Sequence, residues 1–158
     1  MKQKIIIGTI IAVAVIGTII ALIFILKPAK GVNTNSEIES FEYNFGSGEG
    51  TWDEYKITIR DGKYHMTGTG YNSSTININR DITESDMEKL NNIIKDNNID
   101  SWDGFDESDD NVLDGYGFKL IVKYKNGDDI EAEGYMKYPD NYKKGHNALE
   151  EFLESFSY

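Results

Sequence analysis

The segment Tyr55-Lys56-Ile57-Thr58-Ile59-Arg60-Asp61-Gly62-Lys63-Tyr64-His65-Met66 reads as a β-hairpin without help from the rest of the chain. Tyr55, Ile57 and Ile59 alternate with Lys56, Thr58 and Arg60, the period of a half-buried strand. Asp61-Gly62 tolerates the positive φ that a two-residue type I′ turn requires at both positions. Closing the hairpin there pairs Ile59 with Tyr64 and Ile57 with Met66, which puts every apolar side chain on one face; a slip of one residue would scatter them. His65 then falls on the polar face beside Thr58 and Thr67.

A second hairpin obeys the same parity rule with a different turn. Phe118, Leu120, Val122 and Tyr124 alternate on one strand and Ile130 and Ala132 on the next. A two-residue turn at Asn126-Gly127 would set Val122 against Glu131. A three-residue loop, Lys125-Asn126-Gly127 with the glycine left-handed, instead pairs Val122 with Ile130 and Leu120 with Ala132. It also brings Lys119 opposite Glu133 and Lys123 opposite Asp129 on the outer face.

The remaining elements follow from period and caps. Ile38–Phe45 is a first strand, with Ile38 on one face and Phe41, Tyr43 and Phe45 on the other. Ile76 and Ile78 alternate with Asn77 and Asn79 as a fourth. Thr83 caps a helix, with Asp86 three residues on to close a capping box and Ile82 and Met87 at the staple positions. Met87, Leu90, Ile93 and Ile94 keep the helical period until Asp96-Asn97-Asn98 breaks it. A last helix lies between Asn141 and Phe156, with Leu149, Phe152, Leu153 and Phe156 inward, Tyr142 and His146 beside that stripe, and Glu150, Glu151 and Glu154 toward solvent. The expected fold class is α+β: an antiparallel sheet of about six strands with two helices in the order β-β-β-β-α-β-β-α. Tyr55-Lys-Ile-Thr-Ile with Gly70-Tyr71 echoes Phe118-Lys-Leu-Ile-Val with Gly134-Tyr135, as a duplicated strand-strand-helix unit would, although any two amphipathic hairpins share such features.

Ahead of this domain, residues 5–26 form a run of 22 without a charged or strongly polar side chain. About 20 apolar residues suffice to span a bilayer, so the expectation is a single transmembrane signal-anchor helix after a short tail, residues 1–4. Lysines at 27 and 30 argue against cleavage as a signal peptide. Residues 27–36 read as a linker reaching at most about 35 Å, and residues 37–158 as the domain. Two lysines and the terminal amine precede the span and two lysines follow it. The count is close; the terminal amine and the four-residue leading tail favour an N-terminus inside the cytoplasmic membrane, and the acidic segment that follows resists export little, so residues 31–158 are expected outside.

Four of the 16 basic residues flank the anchor and all 27 acidic ones lie beyond it, so the domain carries 12 − 27 = −15. Such a surface repels nucleic acid and anionic headgroups. With no cysteine, the chain has no disulfide framework, thiolate nucleophile or lipidated thiol. His65 and His146 read as edge residues, no Gly-x-Ser-x-Gly elbow supports a Ser-His-Asp set, and Gly46–Gly50 lacks the lysine of a phosphate loop. No catalytic or cofactor-binding residue is therefore expected.

The chemical cluster is the acidic stretch Asp100–Asp114. Asp106, Ser108 and Asp110 have the alternate-oxygen spacing that opens a calcium loop, and Asp114 stands near its end. Asn111 replaces the turn glycine and Gly117 the closing glutamate, so a metal set of Asp106, Asp110 and Asp114 competes with a solvated acidic loop that pins Trp102 and Phe105 into the core through Asp103-Gly104.

Trp102-Asp-Gly-Phe105, Val112-Leu-Asp-Gly115 before an aromatic strand, and Tyr138-Pro-Asp-Asn-Tyr142 together resemble an uncharacterised domain of envelope-associated proteins from clostridia and related bacteria. The resemblance covers roughly residues 38–156. It implies an exported, membrane- or wall-associated setting and transfers no activity. The expected function is thus a membrane-tethered extracytoplasmic interaction domain binding a protein or envelope component. A calcium-dependent domain using the Asp103–Asp114 loop, a small envelope hydrolase and an inward-facing regulator are the alternatives.

Overall fold

The alternation of apolar and polar residues becomes one sheet in the computed structural model, which describes residues 31–47, 51–70, 76–109 and 111–157. The expected membrane span, residues 5–26, lies outside the described residues, among which no helix is long and apolar enough to cross a membrane. Val32–Tyr158 forms one unit. Its strands are β1 (Ile38–Ser47), β2 (Thr51–Arg60), β3 (Lys63–Thr69), β4 (Asn77–Ile82), β5 (Asp106–Ser108), β6 (Tyr116–Tyr124) and β7 (Asp129–Tyr135). Helices α1 (Glu84–Asp96) and α2 (Tyr142–Glu154) complete it, with a 3₁₀ turn at Ile99–Trp102.

The fold is α+β, with seven strands in the order β4-β3-β2-β1-β6-β7-β5, antiparallel except for β5 beside β7. Both hairpins have the registers that parity requires. Ile57 pairs with Met66 and Ile59 with Tyr64 across Asp61 (φ 51°) and Gly62 (φ 77°). Val122 pairs with Ile130 and Leu120 with Ala132 beyond Gly127 at φ 82°. Phe41, Tyr43, Tyr55, Ile57, Met66, Phe118, Leu120 and Val122 share the core with Met87, Leu90 and Ile94 of α1 and Leu149 and Leu153 of α2. Polar side chains such as Glu42, Lys56, Thr67, Lys123 and Glu131 occupy the alternate strand positions, the far face of the sheet.

The helix signals act as read. Thr83 Oγ1 accepts from the Asp86 N–H while Asp86 accepts from the Thr83 N–H, the full capping box. Because β4 and β5 occupy opposite edges, α1 and the 3₁₀ turn carry the chain across the whole sheet.

Four expectations need correction. Ile38 does not face away from Phe41: a bulge between Ile38 and Ser40 inserts one residue against β6, rotating Ile38 into the core at 2 % exposure. Its carbonyl accepts from the Tyr64 hydroxyl at 2.9 Å. The acidic stretch is not all loop, since β5 adds a seventh strand. Residues 32–36 are not free linker: Val32 packs on the core, the Asn33 N–H reaches Asp128, and the Asn91 amide donates to the Thr34 and Ser36 carbonyls. Finally, Glu150 is not fully solvated, as its place beside His146 shows below.

Candidate functional site

The sites of interest lie where β6 begins and β7 ends. Antiparallel pairing sets Gly117 against Tyr135, so the lead-in Val112-Leu-Asp-Gly115 and the exit Met136-Lys-Tyr138 meet at one end of the sheet. Met136 takes φ 56°, a left-handed conformation unusual for a side chain of its size. Its N–H donates to the Tyr116 carbonyl at 2.9 Å, and its Sδ lies 3.3 Å from the Tyr116 nitrogen. A Cβ on Gly115 would stand 2.3 Å from Met136 Cγ, which is why glycine occupies that position. The Tyr135 hydroxyl accepts from the Gly115 N–H at 2.6 Å and donates to the Leu113 carbonyl at 3.0 Å, while the Tyr138 hydroxyl donates to the Tyr116 carbonyl at 3.0 Å.

The loop's polar groups are thereby turned inward and its apolar ones outward. Leu113 is 89 % exposed, Tyr116 66 %, Tyr138 40 % and Met136 37 %; among the described residues the remaining large exposed hydrophobic, Ile59, sits on the other hairpin. Four of five such residues at one end of the sheet are a patch and not scatter. On the far face beside it Trp52 lies over Gly117, whose Cβ would stand 3.0 Å from Trp52 Cη2. Tyr135 flanks the same glycine at 3.3 Å.

From Tyr138 a column of rings runs inward. Tyr138 stacks on Tyr142 at 4.6 Å between centroids, and Tyr142 on His146 at 5.4 Å and 7°. His146 meets Phe45 edge-on at 4.7 Å. His146 Nδ1 is 2.8 Å from the Tyr43 hydroxyl, which in turn is 3.4 Å from that of Tyr142. Burial holds the imidazole below its ordinary pKa, and burial pushes Tyr43 well up and Tyr142 to about 12. Near neutral pH the trio is thus a hydrogen-bonded set of neutral groups. Glu150, half-buried on the next turn of α2, has an oxygen 3.9 Å from His146 Nε2, and its pKa is raised by desolvation and by Asp53.

Comparison with protein-family models, with curated proteins and with solved structures finds no match.

The predicted metal residues are spread over separate elements. Asp106 projects from β5, Asp114 is exposed in the turn before β6, and Asp110 lies outside the described residues. Asp109 accepts from the Asn111 N–H and amide, bonds that hold its carboxyl low. Among the described residues no group of three or more His, Asp or Glu is placed to hold a metal ion. What the acidic segment does is cover the outer edge of β7. Gly104 N–H donates to the Glu131 carbonyl, the Glu131 N–H to Asp103 Oδ1, the Glu133 N–H to the Phe105 carbonyl and the Asp109 N–H to the Tyr135 carbonyl. Asp106 and Glu107 then put negative charge on a three-residue edge strand, which discourages another strand from adding there.

Trp102 and Phe105 are pinned as expected: Trp102 is fully buried, Phe105 packs against the core, and Gly104 takes φ 77°. The indole donates to the Asp140 carbonyl at 3.2 Å and lies against Gly145, whose Cβ would stand 2.6 Å from Trp102 Cζ2. A glycine inside an otherwise regular helix was the available signal for that approach. His65 is on the polar face but not free: Nδ1 is 2.9 Å from Asp81 Oδ1 and Nε2 2.8 Å from Asn79 Oδ1, both on β4. A cleft of about 460 Å³ opens between Asn35–Ile38 and α1, walled by Glu37, Glu84, Glu88 and Lys95 and floored by Tyr64 and Met87.

Proposed function

We propose that this chain is a binding domain held at the outer face of the cytoplasmic membrane by residues 5–26, and that it engages a protein or envelope component through the surface of Leu113, Tyr116, Met136 and Tyr138. The observation that carries this is the patch itself: apolar side chains displayed on an acidic domain, over a backbone whose donors and acceptors are already used internally. A surface ordered before the partner arrives loses little entropy on binding. The left-handed backbone at Met136 supports the same reading, since strain of this kind persists where surrounding contacts enforce it and clusters at working sites.

Binding rather than catalysis is favoured by the state of the titratable cluster. His146 is stacked on Tyr142, edged by Phe45 and bonded through Nδ1 to Tyr43, so the ring serves the packing between α2 and the sheet. The uncharged 22-residue run and the lysines on either side of it support a retained anchor. With residues 32–36 held on the domain, residues 27–31 reach at most about 18 Å, which makes the partner a local one.

The test is photo-crosslinking in intact cells with a benzophenone amino acid in place of Leu113, paired with protease shaving. A discrete crosslinked species, together with loss of the domain on shaving, is the expected result. Crosslinks no different from those made at exposed Lys123 on the far sheet face, or a domain protected from shaving, would refute it.

A further inference from the structure

Resting on that reading, we infer that the occupant of the Leu113–Tyr138 surface is a cationic polypeptide segment that inserts an apolar side chain between lysines or arginines. The same stretch that displays the patch carries Asp106, Glu107, Asp109 and Asp114 beside it, against Lys137 near Asp109 and Lys119, which is itself paired to Glu133. Desolvated apolar anchors inside a charged rim are the usual anatomy of a specific interface, and the rim selects the sign of the partner.

Charge and hydrogen bonding decide among occupants. A second copy would bring another −15 against the first and be repelled. Anionic lipid is opposed by the same field. A saccharide wants hydroxyl and amide partners beside an aromatic platform, but the Tyr135 and Tyr138 hydroxyls are committed to the Leu113 and Tyr116 carbonyls, and Leu113 and Met136 offer no polar contact of comparable strength. An aliphatic or aromatic side chain flanked by cations satisfies both the patch and its rim.

The experiment uses the full chain in nanodiscs of zwitterionic lipid and a fluorescein-labelled short peptide alternating lysine with leucine and phenylalanine, read by anisotropy. Bulk attraction to an acidic protein is separated from the site by a charge-neutral double substitution, Leu113→Ser with Tyr116→Ser. Both side chains are exposed and the Tyr116 bonds come from its backbone, so the variant keeps the fold, which its melting midpoint checks. It is expected to weaken binding by about tenfold or more. Replacing the peptide's lysines by glutamate, or its apolar residues by serine, should each weaken binding by about tenfold.

Equal affinity for wild type and the serine variant would show that the peptide follows net charge alone and would overturn the proposal. So would equal binding of the glutamate peptide, or displacement by an N-acetylglucosamine oligosaccharide, which would make the surface a sugar platform. If crosslinks from position 113 survive any of these failures, the binding domain stands and only the cationic partner is lost. If the crosslinks fail while the peptide binds as expected, the surface chemistry stands and the cellular reading is lost.

Discussion

The hairpins β2–β3 and β6–β7 place the same pair at the same station, an aromatic ring lying over a glycine of the neighbouring strand. Tyr55 pairs with Gly68 and Phe118 with Gly134. The internal echo in the sequence had matched Gly134 to Gly70; strand pairing matches it to Gly68. The two stations differ in what surrounds the ring. A Cβ on Gly68 would meet the end of the Ile78 side chain at 2.9 Å, whereas one on Gly134 would meet the Lys137 backbone oxygen at 2.4 Å and Phe118 at 2.6 Å. Tyr55 also carries a buried hydroxyl with no hydrogen-bond partner among the described residues, while Phe118 has no hydroxyl. One hairpin leaves slack where the other is locked by the chain turning back toward α2.

Breaking the comparison at its tightest point should have the largest effect. Gly134→Ala is expected to destabilise by about 3 kcal/mol, since backbone cannot step aside, and Gly68→Ala by about 1 kcal/mol, since Ile78 can change rotamer. The urea midpoints of the two variants test this; equal losses would mean that the stations are equivalent.

A next effect concerns pH. The folded-state pKa of His146 is depressed by burial, so the unfolded chain takes up that proton first. The contribution is full above the unfolded value, about 6.5, and falls as pH drops below it. Glu150, raised by desolvation, acts oppositely at lower pH, gaining as it protonates. Melting followed from about pH 7 to 5 should therefore decline for the wild type, and the decline should flatten in His146→Phe, which keeps the ring but not the titration. An unchanged slope would place the proton elsewhere.

Tyr55→Phe makes the first station chemically like the second. Removing an unsatisfied buried hydroxyl should be neutral or stabilising by about 1 kcal/mol in thermal melts. A loss above that would mean the hydroxyl is bonded. The smallest change is Lys119→Ala, which breaks the 3.0 Å pair with Glu133. Both side chains are close to half exposed, so the cost should stay under about 0.5 kcal/mol and vanish at high salt.

Much of this architecture was legible because it is local. Parity fixed the Asp61-Gly62 and Lys125–Gly127 turns, and Thr83 with Asp86 marked the helix start. What escaped the sequence is set by partners far along the chain. The bulge that turns Ile38 inward answers to β6, and β5 exists because β7 has an open edge for Phe105 and Asp109 to bond. His146 and Glu150 looked like edge and solvent residues by helical period, but Tyr43 and Phe45, a hundred residues earlier, surround the imidazole. The display of Leu113 and Tyr116 was hidden for a similar reason: an apolar residue near a glycine reads as a turn beside the core until the Tyr135 hydroxyl is seen to hold the loop outward.

The position of β1 has a mechanical consequence. From Val32 the chain runs into the middle of the sheet and not onto its rim, with β2 along Phe41–Ser47 on one flank and β6 along Ile38–Ser47 on the other. A pull on the N-terminal side of the domain loads both rows of hydrogen bonds in shear, and they must give way together, whereas a border strand would unzip one bond after another. A load applied at Val32 would therefore be shared by both neighbours of β1, and β1 would be the last strand to yield.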